Sequence, residues 1–242
     1  MAEPEERGRQ VHLVGLLAFA SGSIDVVTLM VIGGSFTSVI TGNLIFVGRA
    51  IGTRSLSPAL HAVMAVAGYM AGVAVASSLR QALSRGAPQQ AAWPRSATQV
   101  LAVEWVVLAA LNVAWICYHA APPPAAADVL LVVAAVALGM QGAAARSIKG
   151  NPSTTYMTGA LTTLVEALST GGRRTIDASV AVGLLCLVAG AACGAVLVVH
   201  ASQAALLPPL ASLALVVVIM LGRHRREQRT EAERASDGSP AQ

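Results

Sequence analysis

The sequence predicts an all-α, polytopic membrane protein with six transmembrane helices arranged as two inverted three-helix repeats. Three observations carry that expectation. Hydrophobic residues make up 55% of the chain and charged residues only 12%, about half the roughly 25% usual in soluble domains, so a water-facing shell cannot be assembled. Apolar stretches recur at 11–34, 58–79, 97–120, 128–145, 178–199 and 204–222, each near or above the ~18–20 residues that cross a hydrocarbon core of about 30 Å. A polar Thr-Gly run in the first half returns 117 residues later in the second. None of the stretches shows the period-two alternation that a transmembrane β-barrel requires.

The N-terminal tail, 1–10, holds Arg7 and Arg9. In the first span, Ala18-Phe19-Ala20 matches a small-x-small cleavage pattern, but the apolar run continues to Gly34 and Glu3, Glu5 and Glu6 precede it, so the segment is expected to remain as a span. Asp25 lies a few residues from its middle. A carboxylate there costs about 2.5–3.5 kcal/mol on insertion scales, so it should face the bundle and find a hydroxyl or amide partner. Residues 35–52, "SFTSVITGNLIFVGRAIG", then gather Thr37, Ser38, Thr41, Asn43 and Arg49. A full crossing there would flip the later spans and export Arg80, Arg85 and Arg95 together, so a half-helix, a re-entrant piece or a broken end of the first span is expected.

The second span, 58–79, carries Gly68 and Gly72 in "GYMAG", a spacing that lets helix backbones approach closely. In the third, 97–120, Glu104 is expected near the cytoplasmic start, within reach of headgroup water or Arg95. Trp105 and Trp115, with Tyr118, suit helix ends at headgroup depth, and Trp93 the inner interface. A Pro-rich linker, 121–127, separates the first repeat, 11–120, from the second, 128–222.

In the second repeat, Asp128 and Asp177 read as helix caps. Residues 153–170, "STTYMTGALTTLVEALS" and its continuation, mirror the first polar run; Thr154, Thr158 and Thr162 recur every four residues and would give one hydroxyl stripe on a helix, with Glu166 solvated at its end. The next span, 178–199, repeats the packing signal as Gly190 and Gly194 in "GAACG", and 204–222 closes the unit. The tail 223–242 reads as a basic anchor passing into a disordered, mixed-charge end.

Charge sets the orientation. Of sixteen Lys and Arg, a six-span arrangement puts all but Arg49 and Arg54 on one side, which places both termini in the cytoplasm of a bacterial inner membrane. Shifted by 117, residues 20–47 match at Ala20/Ala137, Gly22/Gly139, Gly33/Gly150, Thr37/Thr154, Thr41/Thr158, Gly42/Gly159 and Leu44/Leu161. Three spans is an odd number, so the second repeat enters from the opposite face. Secondary transporters share that inversion and form their sites from interrupted helices in corresponding positions. Asp25, Thr37, Thr41, Asn43, Gln141, Thr154, Thr158 and Thr162 are therefore the candidate lining of a solute or ion pathway. The amides of Asn43 and Gln141 are intolerable facing lipid and suit either lining or interhelical bonding.

Other function classes find little footing. The net charge of +4 comes from residues flanking hydrophobic segments, so no nucleic acid is expected as a partner. His61, His119 and His200 are scattered, and Cys117, Cys186 and Cys193 read as small apolar fillers; no metal or cofactor is expected. No nucleophile elbow, phosphate-cradling loop or metalloprotease motif occurs, so no enzymatic activity is expected. The expected partners are the lipid bilayer, a small polar solute or a proton, and a second copy of the chain in a homo-oligomer. The competing class is a membrane scaffold or regulatory factor whose Thr-Gly runs only lock helices together.

"GSIDVVTLMVIGGSFTSVITGNLIFVG" followed by "LGMQGAAARSIKGNPSTTYMTGALTTL" resembles the YoaK family of bacterial integral membrane proteins, built on a domain of unknown function. The likeness covers nearly all of 11–222 and rests on Asp25 and Thr41-Gly42-Asn43 together with Met140-Gln141 and Thr158-Gly159. Gly142 departs from it, since that family's pattern implies an Asn after the Gln. The resemblance implies a six-helix membrane fold; the family's activity is uncharacterised.

Overall fold

A computed structural model describes residues 4–54, 56–84, 93–148, 159, 161–162, 165–166, 169 and 178–236. Regular structure among them is helical: α1 (Pro4–Val27) running into a π turn (Thr28–Ile32), α2 (Ile40–Thr53), α3 (Leu56–Leu83), α4 (Arg95–Cys117), α5 (Pro124–Arg146), α6 (Ala178–His200), a short 3-10 turn (Ser202–Ala204) and α7 (Leu207–Ser236). Six helical segments, Gln10–Ile32, Pro58–Leu83, Arg95–Cys117, Pro124–Arg146, Val180–His200 and Ser202–Thr230, are long and apolar enough to cross a membrane. At 14 residues, α2 reaches about 21 Å and falls short of the hydrocarbon thickness.

Between α1 and α2 the helix stops for a local reason. Thr28 turns its hydroxyl back onto the carbonyls of Ile24 and Asp25, both at 3.1 Å, a bond that competes with the helix ladder and bends it. The ladder widens into the π turn and closes with Gly33 N–H donating to Thr28 O at 3.1 Å. Gly34 then takes φ +64°, a left-handed conformation that suits a residue without a β-carbon.

Lipid supplies no hydrophobic drive between helices, so the bundle depends on close backbone contact. The most extensive contacts are α1 with α6 and α3 with α5; α4 packs on α5, α7 on both α1 and α4, and α2 on α3. Helices α1, α5, α4 and α7 thus close a ring, with α6 outside α1 and α3 outside α5. Glycines mark the two tight pairs. A β-carbon on Gly72 would collide with the Val136 carbonyl and one on Gly139 with that of Tyr69; one on Gly190 would strike the Phe19 carbonyl and one on Gly22 that of Leu187. Gly68 lies against Val132 O, with 2.9 Å available to a β-carbon, and Gly15 against Cys186 Sγ, with 3.0 Å. Gly194 meets Val26 and Ser23.

Several expectations change at the helix ends. Helix α5 begins at Pro124, the first-turn position where a missing N–H costs nothing, so it absorbs most of the Pro-rich linker. Asp128 is consequently a side chain of the second turn and not a cap. Helix α7 carries the described part of the basic tail to Ser236, and 237–242 lie outside the described residues; Arg223 and Glu227 are paired one turn apart at 2.8 Å. Trp115 is wholly buried, donating from Nε1 to Ser202 O at 2.9 Å. Trp105 donates to Leu210 O at 3.1 Å. An indole N–H inside an apolar bundle needs an acceptor, and the start of the last helix provides one for each.

Candidate functional site

The break in α1 is organised around Asp25. Its Oδ1 accepts the Thr37 N–H and the Thr37 hydroxyl, both at 2.7 Å, and the Ser38 N–H at 2.9 Å; its Oδ2 accepts the Ser38 hydroxyl at 2.5 Å. Those amides precede α2 and have no partner in its ladder, and Val39 at the helix start contributes no side-chain cap. Asp25 therefore holds, from another helix, the loop that leads into α2. Asn43 completes the bracket from within α2: its Oδ1 accepts the Phe36 N–H at 3.0 Å and its Nδ2 donates to Phe36 O at 2.6 Å. Phe36 stacks on Phe46 with ring centroids 5.9 Å apart. Asp25, Ser35, Thr37 and Asn43 are all buried.

A second polar contact lies along the same face of α1. Gln141 of α5 donates from Nε2 to Leu17 O and to Ser21 Oγ, both at 2.9 Å, and Ser21 stands one turn before Asp25. Ser212 of α7 donates to Leu16 O at 2.7 Å. Among the described residues, Gln141 Oε1 and Ser23 Oγ are buried with no hydrogen-bond partner.

The structure thus brings Asp25, Thr37 and Asn43 together and sets Gln141 one turn further along α1. Thr41 and Thr162 are exposed, and Thr154 and Thr158 lie outside the described residues, as does Asp177. Of the missed residues, Ser38 sits in the same polar run as Thr37 and was legible there. Asp128 is different: its carboxylate meets His61 Nε2 at 3.0 Å, joining α3 to α5 beside Gly33, where the π turn ends. Nothing in sequence spacing pairs residues 61 and 128.

Glu104 overturns its expectation. It is fully buried, and neither carboxylate oxygen has a hydrogen-bond partner among the described residues. The signal was available: nine residues beyond Arg95 is more than two helical turns, too far in for headgroup water.

At the N-terminal end of α4, Thr98 Oγ1 accepts Trp93 Nε1–H at 3.1 Å and meets His224 Nε2 at 3.1 Å, while His224 Nδ1 faces Glu227 Oε2 at 3.4 Å. The order hydroxyl, imidazole, carboxylate is that of a nucleophile relay. Thr98 is 1% exposed and already engaged by an indole, so the arrangement works as a clamp between α4 and α7. Among the described residues, no three His, Cys, Asp or Glu side chains converge on a possible metal position.

Residues 13–219 match the family model described as protein of unknown function (DUF1275). The UPF0700 transmembrane protein YoaK of Bacillus subtilis (strain 168) is 28% identical over 158 residues, which span 65% of this chain and 66% of that relative, just under two thirds of its length. No solved structure matches.

Proposed function

The chain belongs to the DUF1275 family of membrane proteins, whose function is unknown, and on that premise we propose that it is a transporter for a small polar solute. In this reading two inverted three-helix repeats sit in a bacterial inner membrane with both termini in the cytoplasm, and the solute passes beside the broken first helix. The observation that carries it is the interruption of an apolar helix whose freed amides, on Thr37 and Ser38, are held by a buried carboxylate. Irregular backbone at membrane depth survives only against protein or a watery cavity, and interrupted helices with exposed half-helix ends are how such proteins hold polar cargo. The partly unsatisfied face of α1, from Gln141 to Asp25, supplies the polar surface.

Helix pairing supports the repeat. Exchanging the halves turns the α1–α6 pair into the α5–α3 pair, and the close contacts follow. Gly190 on Phe19 corresponds to Gly72 on Val136, Gly22 on Leu187 to Gly139 on Tyr69, and Cys186 on Gly15 to Gly68 on Val132. The shift is 117 on the first helix of each half and 118 on the second. Gly72 and Gly190 are therefore partners, one turn out of step with a match of Gly68 to Gly190.

Asp25, with every donor accounted for, acts here as a fixed bracket that shapes the pathway. Proteoliposomes holding a pool of small polar metabolites test the reading. Wild-type protein is expected to release a subset of solutes several-fold faster than empty vesicles, and Asp25→Ala to abolish the difference; release equal to that of empty vesicles rejects transport. Sidedness is tested separately. Single cysteines at 85 and 173 are expected to react with an impermeant thiol reagent from the same face, and opposite faces would end the inverted-repeat reading.

A further inference from the structure

We propose that Glu104 is an internal proton-binding site at the centre of the four-helix ring, distinct from the bracketed break in α1. It lies nine residues beyond Arg95, about 13.5 Å along α4, and thirteen before Cys117, about 20 Å from that end. It belongs to the buried stripe Ala97, Leu101, Leu108, Leu111 and Trp115, the face that α4 turns toward its neighbours. Three hydrogen bonds fix what lies level with it. Trp105 reaches Leu210 O, Ser212 reaches Leu16 O and Gln141 reaches Leu17 O, so the stretch of α4 that holds Glu104 is tied to α7, and α7 and α5 in turn to neighbouring residues of α1.

A carboxyl held only for structure would have donors, as Asp25 has. Glu104 has none among the described residues, and Gln141 Oε1 and, further along α4, Asn112 Oδ1 are also buried without partners. Orphaned polar atoms of this kind are costly, about 1–3 kcal/mol each, and persist where a ligand or internal water takes them up. Oxygen acceptors with no donor between them suit a small cation, and a proton is the one a lone carboxylate can hold by itself.

The charged and titratable groups on the helices packed against α4 are committed elsewhere or sit at helix ends. On α3, His61 pairs with Asp128 of α5, and Arg80 donates to Ala143 O at 3.1 Å; Tyr69 has its own partner. Arg146 of α5 is exposed, and on α7 Arg223, His224 and Glu227 bind one another and Thr98. Arg225, Arg226 and Arg229, in the same stretch of α7, are all exposed.

The test uses the full chain in lipid nanodiscs and a hydrophobic carbodiimide, which adds only to protonated carboxyls in apolar surroundings. Mass spectrometry is expected to find the adduct on Glu104, falling about tenfold per pH unit above the titration midpoint, and Asp25→Asn is expected to leave it unchanged. No adduct on Glu104 across roughly pH 5–8, or an adduct indifferent to pH, overturns the proposal. Infrared titration gives a second readout: a protonated-carboxyl band that disappears as pH rises is expected in wild type and absent in Glu104→Gln, and its survival in that variant also overturns the site. A chain that carries no solute while Glu104 titrates rejects transport alone; a transporting chain with a silent Glu104 rejects this inference alone.

Discussion

Replacing Asp25 by alanine is expected to destabilise the protein by about 3–5 kcal/mol, the cost of leaving buried polar partners uncompensated. Four donors converge on that carboxylate, two of them backbone amides of Thr37 and Ser38, and alanine offers none of them an acceptor. Asparagine keeps one acceptor oxygen and is expected to cost roughly half as much, while Thr37→Val, which removes a single hydroxyl donor, should cost about 1 kcal/mol. Reversible unfolding in mixed micelles orders the three variants. Amide exchange adds a local readout: the Thr37 and Ser38 N–H groups should lose protection in Asp25→Ala while α4 keeps its own. An alanine variant as stable as wild type would mean that the bracket is not made.

The second large effect lies in the glycine contacts. Gly190→Ala is expected to cost about 1–3 kcal/mol, since its β-carbon would enter the Phe19 carbonyl and force α1 and α6 apart, and leucine at the same position should prevent assembly. Gly48 in α2 serves as the control, with nothing within 4 Å of where its β-carbon would lie. There the same substitution removes only the conformational freedom of glycine in a helix and is expected to stabilise by about 0.5–1 kcal/mol. Opposite signs for one chemical change test the helix register directly. Equal, small effects would separate α1 from α6. Gly72→Ala should resemble Gly190→Ala, because the Val136 carbonyl approaches it in the same way.

Asp25 and Glu104 show how far sequence reasoning about such a site reaches. Both are carboxylates inside apolar spans. The expectation of a hydroxyl partner held for Asp25, since a polar run follows it closely in sequence and the chain must turn back at once. Glu104 went the other way because the helices that α4 packs on, α5 and α7, follow it in the chain and sequence spacing does not show which of its faces they cover. Asn43 and Gln141 divide similarly: Asn43 bonds its own segment at Phe36, whereas Gln141 reaches across to Leu17 and Ser21. Trp115 divides the same way as Gln141, since the Ser202 carbonyl that takes its indole N–H comes from far along the chain.

By itself the sequence determined the number of membrane-capable helices and the all-helical class. Each is a one-dimensional consequence of hydrocarbon thickness and of backbone groups that must be satisfied without water. Only the tertiary structure decided which helices touch, that His61 meets Asp128, that Gly72 meets the Val136 carbonyl and Gly190 that of Phe19, and that Glu104 is buried with no partner among the described residues. Those facts depend on rotation and neighbour choice, and in lipid these are selected by close backbone fit between helices rather than by a hydrophobic pattern that a sequence displays.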